Sequence, residues 1–148
     1  MINICRTIRN ALAGLALFAA STGGAHALTV DVTVDNQIFT IGLDVRRVGV
    51  QADRDFLATQ PWWGDGPLAR QFAELVGTEL GFPNNFGASF GRTGPFFAFA
   101  PIGSGNNLSS WAYFEPTDAI QFFQANQPIN YAVVESVAPI PLPPAAFL

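Results

Sequence analysis

The chain has 148 residues, of which 49% are hydrophobic and only 12% charged, and its formal net charge is −4. This length suits one small domain, and the acidic balance argues against nucleic acid and anionic membrane surfaces as partners. The single cysteine excludes an intramolecular disulfide.

The first 27 residues have the three parts of a secretory signal peptide. The first ten contain two arginines and no acid, residues 11–20 are apolar, and Ala25 and Ala27 form an Ala-x-Ala site. The apolar run is about half the length that a membrane-spanning helix needs. We therefore expect signal peptidase to cut after Ala27 and the protein to be exported to the periplasm, the cell surface or the extracellular space.

Removal of the signal changes the chemistry open to the protein, because its only cysteine and histidine, Cys5 and His26, precede the cut. The mature chain keeps five arginines against eleven acids, a net charge of −6. It has no imidazole, thiol or lysine amine to act as a general base or activated nucleophile, and no ligand set for zinc or copper. We expect a non-enzymatic protein with no cofactor.

Two alternating segments at the start of the mature chain predict an N-terminal β-hairpin. Leu28–Val34 and Phe39–Val45 place apolar residues at every second position, which is the period of a half-buried strand. Asp35–Gln37 lies between them and is typical of a turn, since Asn and Asp tolerate left-handed backbone and form local hydrogen bonds.

An amphipathic helix is predicted from Pro67 to Leu80. Asp65 or Gly66 would be the N-cap, and Pro67 suits the first helical position because no helix hydrogen bond needs its missing N–H. Gly81 would supply the left-handed residue after the helix. The residues on its apolar face are Leu68, Phe72, Leu75, Val76 and Leu80.

The remaining segments indicate further strands. Residues 96–100, 111–115 and 130–135 have the composition of strands, residues 117–124 suit a strand or a helix, and residues 53–60 suit a short helix. The predicted fold class is α+β: a small antiparallel β-sheet that starts with the N-terminal hairpin and packs against the one amphipathic helix.

The sequence predicts that the chain has three parts. Residues 1–27 are the signal peptide, and residues 28–136 form a single globular domain. Residues 137–148 form a tail whose four prolines exclude a helix or a sheet interior and favour an extended chain.

The best candidate ligand site is a group of aromatic residues with a carboxylate: Trp62, Trp63, Asp65 and Trp111. Aromatic faces beside hydrogen-bonding groups are suited to binding sugars, so a carbohydrate-binding module is one hypothesis. The competing interpretation is that the tandem tryptophans pack over the first turn of the helix and fill the core, since tryptophan is highly buried on average.

Acidic residues offer two weaker hypotheses. A secreted hydrolase would need two carboxyl groups across one cleft, and Asp65 with Glu74 is the pair that the sequence offers, although Glu74 lies on the predicted solvent face. Calcium could use oxygen ligands from two acidic groups: Asp44 with Asp53 and Asp55, or Asp31 with Asp35. Neither group has the spacing of a calcium loop, so we expect no metal site.

The tail resembles the start of a known sorting signal. Its residues Pro141, Leu142, Pro143 and Ala145 are similar to the Val-Pro-Leu-Pro-Ala variant of the PEP-CTERM signals of Gram-negative bacteria. In that family the motif precedes a membrane-spanning segment and a basic cluster, and an exosortase-type transpeptidase processes it. This sequence ends at Leu148 with neither feature, so we expect an incomplete signal and no stable membrane span in the chain as written.

Five short segments in the middle of the chain also resemble an ectodomain that recurs in exported PEP-CTERM proteins. They are Gln60–Asp65, Leu68–Ala73, Val76–Gly77, Leu80–Asn84 and Gly94–Phe99. The resemblance implies residence at the cell surface or in an exopolysaccharide matrix, with extracellular polysaccharide as a possible contact, and it implies no reaction. An exported, non-enzymatic surface or matrix protein is therefore the first hypothesis.

Overall fold

The computed structural model describes residues 28–88, 90–103 and 107–141. The signal peptide with Ala25 and Ala27, and the sorting residues Leu142, Pro143 and Ala145, lie outside these ranges. The strands are β1 Val30–Val34, β2 Gln37–Arg46, β3 Asn84–Asn85, β4 Arg92–Thr93, β5 Phe97–Ile102, β6 Asn107–Phe114, β7 Ala119–Ala125 and β8 Ile129–Pro139. The helices are α1 Gln51–Leu57 and α2 Gly66–Val76, with a short 3₁₀ turn at Glu115–Thr117.

The predicted N-terminal hairpin is confirmed. Strands β1 and β2 pair antiparallel, and Val34 lies opposite Gln37. The two residues between them, Asp35 and Asn36, both have positive φ angles, 48° and 62°. A two-residue turn with this geometry matches the right-handed twist of the strands, and Asp and Asn adopt it at low cost.

The strands form two antiparallel sheets that meet at one point. The first has the order β1-β2-β8, and in the second β6 pairs with β7 on one side and with β5 and β4 on the other. A short parallel bridge joins the sheets at Phe96 and Tyr131. There the Phe96 N–H donates to the Asn130 carbonyl at 3.1 Å, and the Ala132 N–H donates to the Phe96 carbonyl at 3.0 Å.

Helix α2 is shorter than the sequence predicts. It begins after Asp65, whose carboxylate accepts a hydrogen bond from the Leu68 N–H at 2.9 Å, and it ends at Val76. The prediction that it reaches Leu80 was wrong, because Gly77 has a φ of 52° and already supplies the left-handed turn. Leu75 was wrongly placed on the apolar face, since 46% of its surface is exposed.

Two hydrophobic cores lie on the two faces of the second sheet. The adjacent residues Phe97 and Ala98 belong to different cores, since successive side chains of a strand point to opposite faces. The first core is shared with α2, through Phe72 and Val76, and with the hairpin. The second core includes Leu57 of α1. Helix α2 therefore packs on one face of the sheet, and α1 contributes one residue to the core on the other face.

The α+β fold class is confirmed, with antiparallel sheets, an N-terminal hairpin and a helix packed against a sheet. The ambiguous segment 117–124 is mainly strand β7. Strand β8 continues beyond the predicted end at Glu135 as far as Pro139, which lies opposite Gln37 at the edge of its sheet, where a proline is tolerated. Within the described ranges, no helix is long and apolar enough to cross a membrane.

Candidate functional site

Trp62 is a core residue. None of its surface is exposed, and its ring lies 4.8 Å from that of Phe72 and 5.1 Å from that of Phe97, measured between centroids. A ring enclosed in this way is not available for stacking on a sugar. The interpretation that the first tryptophan of the pair packs on the helix and fills the core is therefore the correct one for Trp62.

Trp63 lies on the other side of the second sheet. Its ring is half-buried against the second core and lines a small cleft of about 250 Å³. The polar residues of that cleft come from α1: Gln51, Arg54 and Asp55. The tandem pair therefore does not form one aromatic platform, because its two rings belong to different cores.

Trp111 packs against the first core, with Trp62 and not with Trp63. Its ring is stacked on Phe99 at 6.5 Å and meets Phe122 edge-on at 5.6 Å. The Arg70 guanidinium lies over the same ring, 5.3 Å from its centroid. This half-buried cluster lies beside α2, away from the Trp63 cleft.

Asp65 and Glu74 do not share a cleft. Asp65 caps the start of α2, and Glu74 pairs with Arg70 at 2.8 Å one turn earlier on the exposed helix surface. Asp65 and Glu74 are nine positions apart, which corresponds to about 13 Å along the helix axis. Paired carboxyl groups of glycosidases are roughly 5 to 9.5 Å apart. The hydrolase pair nominated from the sequence therefore lacks the geometry that the reaction needs.

In the first acidic group considered as calcium ligands, Asp44 and Asp53 bind an arginine instead. Arg46 lies between Asp44 and Asp53; its Nε is 3.0 Å from Asp44 Oδ2 and its Nη1 is 3.1 Å from Asp53 Oδ1. The backbone N–H of Arg47 also donates to Asp53, and this contact and the guanidinium lower the pKa of the Asp53 carboxyl. In the second group, Asp31 accepts a hydrogen bond from Thr40 Oγ1 at 2.7 Å. The part of the chain that the structure describes holds no cluster of three potential metal ligands.

A second concave site has a volume of about 410 Å³ and is lined mainly by phenylalanine. Five phenyl rings form its wall: Phe86, Phe90, Phe96, Phe114 and Phe123. Ala125 and Ile129 complete the apolar lining, and the polar lining consists of Gln124, Asn126 and Gln127. We call this site the phenylalanine cavity.

Four of the five rings of the phenylalanine cavity contact one another. Phe96 stacks on Phe123 at 5.1 Å, Phe114 meets Phe123 edge-on at 5.7 Å, and Phe86 lies 6.1 Å from Phe96. Tyr131 packs edge-on against Phe96 at 6.3 Å, and burial raises the pKa of its phenol, which therefore stays neutral. Four of the five rings are thus fixed by aromatic contacts, whereas Phe90 is 72% exposed, and the lining carries no charge.

A buried asparagine holds the segments around the cavity together. Asn84 is 4% exposed, and its amide donates to the Gly94 carbonyl at 2.9 Å and the Asn130 carbonyl at 3.1 Å. Its Oδ1 accepts from the Asn130 N–H at 2.8 Å. These bonds tie β3, which precedes Phe86, to β8 near Ile129. The two sides of the cavity are therefore connected through one side chain.

The sequence does not predict the phenylalanine cavity, although it contains one signal for it. The β7 segment has adjacent phenylalanines, Phe122 and Phe123, and two adjacent residues of a strand cannot both face the same core. Phe123 faces the second core and the cavity, and Phe122 lies beside Trp111. The other rings come from loops and strands whose proximity depends on the tertiary fold.

The lining of the phenylalanine cavity offers apolar contacts and amide hydrogen bonds. Its ten lining residues include no carboxylate, guanidinium, imidazole or thiol. Amide side chains can orient a ligand by hydrogen bonds, and phenyl rings can enclose its apolar part. Comparisons with family models, with curated proteins and with solved structures found no match to this chain.

Proposed function

We propose that this chain is an exported, non-enzymatic protein of the cell surface or extracellular matrix that binds a neutral, mainly apolar ligand in the phenylalanine cavity. The observation that carries the binding role is a concave site with five phenyl rings and three amide side chains. Export is supported by the signal-peptide pattern of residues 1–27. Residence at the surface or in the matrix is supported by the resemblance to PEP-CTERM proteins, which also makes an exosortase-type transpeptidase a candidate partner.

The size and lining of the cavity define the class of ligand. Ligand pockets typically have volumes of roughly 300 to 1,000 Å³, and the cavity of about 410 Å³ lies at the smaller end. It suits one or two rings, or a short alkyl chain, with a hydrogen-bonding group directed at Gln124, Asn126 or Gln127. An anionic ligand would lose its hydration without gaining a cationic partner, because no arginine lines the site.

A neutral fluorescent probe, N-phenyl-1-naphthylamine, tests this binding role. The variant Ala125→Phe places a sixth ring in the cavity and is expected to weaken probe binding by at least about tenfold, since it occupies ligand volume and removes contacts. Ala119→Phe makes the same change at the exposed far end of β7 and is expected to bind the probe as the wild type does. Affinity is expected to stay constant from about pH 5 to about pH 9, because nothing in the lining titrates there. Equal affinities of the two variants would contradict the proposal.

Export is tested separately by the N-terminus of the protein recovered outside the cytoplasm. Mass spectrometry is expected to identify Leu28 as the first residue, and replacing Ala27 by a bulky residue is expected to leave the precursor uncut. An intact precursor confined to the cytoplasm would contradict export without bearing on the cavity.

Carbohydrate binding remains a second candidate, now at the Trp63 cleft alone. The favourable observation is a half-buried indole beside Gln51, Arg54 and Asp55, since planar polar groups next to an aromatic ring suit a sugar. These polar groups already bond to one another, with Gln51 Nε2 donating to Asp55 at 2.6 Å. Titration with a polysaccharide panel should change the tryptophan fluorescence of the wild type and of Trp111→Phe but not that of Trp63→Phe. No change in the wild type would exclude this candidate.

A further inference from the structure

Phe90 differs from the other four rings of the phenylalanine cavity. It lines the cavity, yet 72% of its surface is exposed, which is the largest exposed fraction of any large hydrophobic residue in the described ranges. Each of the other four rings lies 5.1 to 6.1 Å from another ring of the cavity, measured between centroids. Phe90 has no such partner among the described residues, so its ring lies at the edge of the cavity, in contact with water.

The backbone that carries Phe90 is held by hydrogen bonds. The Gly87 carbonyl accepts from the Phe90 N–H at 3.2 Å and from the Gly91 N–H at 2.8 Å. The Phe86 N–H donates to the Gly91 carbonyl at 3.1 Å, which closes the connection between β3 and β4. The ring can therefore change its position by rotation about its side-chain bonds while these hydrogen bonds stay in place.

Close packing at Gly91 fixes the backbone next to Phe90. Gly91 has a φ of 73°, and a Cβ atom at this position would overlap the Pro116 ring. A glycine is therefore required here, both for the backbone angle and for the close approach. Since Pro116 follows β6 directly, this contact holds Phe90 beside the end of β6, where Phe114 contributes to the cavity wall.

An exposed ring at the edge of an apolar cavity can gain contacts when a ligand is bound. Contact between the two removes apolar surface of both from water, and an aromatic ligand adds offset or edge-to-face contacts. We propose that Phe90 is a ligand-binding residue whose ring covers the bound ligand and completes the apolar wall. This inference rests on the proposed binding role of the cavity and names the residue that retains the ligand there.

The covering role narrows the class of ligand. The amide side chains of the lining come from residues 124–127, where β7 ends and the chain turns towards β8, whereas Phe90 comes from the β3–β4 connection. A ligand that contacts both carries a hydrogen-bonding group for the amides and a flat apolar part that one phenyl ring can cover. A neutral aromatic alcohol, amine or amide has both parts.

Stopped-flow fluorescence with N-phenyl-1-naphthylamine tests the covering role on residues 28–148, which contain every described helix and strand. Phe90→Ala is expected to raise the dissociation rate constant by about tenfold, because the bound probe then faces water on one side. The association rate constant is expected to change by less than about twofold, since the exposed ring does not block entry. Phe90→Tyr keeps the ring and is expected to dissociate as slowly as the wild type.

Phe122→Ala is the matched control. Phe122 is also an exposed phenylalanine, at 46%, and it lies outside the cavity lining, so its replacement is expected to leave both rate constants unchanged. The urea midpoint of Phe90→Ala is expected to equal that of the wild type, because replacement at an exposed position removes few contacts. Faster dissociation from this variant would then not be a consequence of unfolding.

The results separate failure of the covering role from failure of the binding site. If the wild type binds the probe and Ala125→Phe weakens binding, but Phe90→Ala dissociates at the wild-type rate, the covering role is overturned and the binding role stands. Dissociation that is accelerated equally in Phe90→Ala and Phe122→Ala would also overturn the covering role. A wild type that does not bind the probe would overturn both proposals.

Discussion

Buried amide side chains connect segments that are far apart in the sequence. Asn84 bonds to Gly94 and Asn130, and Gln60 Oε1 accepts a hydrogen bond from the Val134 N–H at 2.8 Å. Both residues are less than a tenth exposed. A buried backbone group that loses such a partner is left unsatisfied at a cost of about 1 to 3 kcal/mol. These two amides therefore contribute to stability and to the position of the cavity wall.

Replacement of Asn84 by alanine is expected to lower the free energy of unfolding by about 3 kcal/mol, since it leaves backbone groups at Gly94 and Asn130 without partners. It is also expected to weaken probe binding, because the two sides of the phenylalanine cavity lose their connection. The control is Asn85→Ala, at the exposed next position, with an expected loss of about 0.5 kcal/mol. Urea denaturation measures the free energy of unfolding of each variant, and equal losses in the two variants would contradict the role of Asn84.

Asp65 is a second residue whose role is open to a direct test. Replacing this N-cap of α2 by alanine is expected to lower the free energy of unfolding by about 1 kcal/mol. Replacement by asparagine is expected to change it little, because both Asp and Asn accept the capping bond. Thermal denaturation of Asp65→Ala and Asp65→Asn measures this difference. If the two variants were equally destabilised, the charge and not the capping bond would be responsible.

Residue-level predictions succeeded where the signal was local. An Asp-Gly-Pro sequence ahead of an apolar face narrowed the cap of α2 to Asp65 or Gly66, because capping depends on a few adjacent residues, and the structure shows Asp65. The separation of Trp62 from Trp63 was not predictable in the same way. Neither residue lies in a periodic segment, so only the tertiary fold decides which core receives each ring.

At the scale of elements, an ion-pair group joins the end of β2 to α1. Arg46 binds Asp44 on its own strand and Asp53 on the helix, and its guanidinium also lies over the Phe56 ring, 3.9 Å from the centroid. The same helix contributes Leu57 to the second core. The group therefore positions α1 against the sheet.

The lowered pKa of Asp53 makes this attachment dependent on pH. A carboxyl whose pKa is lower in the folded state contributes stability at neutral pH and loses it as the pH falls from its ordinary value of 3.8 through the folded value. We expect stability to fall with acid over this window, and Asp53→Asn to show a flatter dependence. Asp55→Asn, two residues along α1, is the matched change of charge. Identical pH profiles for wild type and Asp53→Asn would contradict the assignment.

The ends of elements were harder to predict than their presence. Helix α2 ends at Val76, before the left-handed Gly77, and the apolar pattern that continued to Leu80 was misleading because Leu80 is buried from a turn and not from a helix. Strand β7 could not be distinguished from a helix by its short apolar run. Pairing with β6 decides its conformation, and that pairing is a tertiary contact.

At the scale of the whole molecule, the cavity depends on the arrangement of the second sheet. Its rings come from the β3–β4 loop, the residue before β5, the end of β6 and the end of β7, and they surround the second core opposite α2. No periodicity in the sequence brings these positions together. The fold class could be predicted from local patterns, whereas the candidate site could not, since it is formed by residues up to 43 positions apart, from Phe86 to Ile129.

The central claim, that the phenylalanine cavity binds a neutral apolar ligand, is tested most directly by methyl NMR of residues 28–148 during titration with N-phenyl-1-naphthylamine. The aromatic probe is predicted to shift the methyl signals of Ala125 and Ile129, which line the cavity, and to leave the indole N–H signals of Trp62 and Trp63 unchanged. Unchanged Ala125 and Ile129 signals at saturating probe, or shifts confined to the Trp63 indole, would contradict the account.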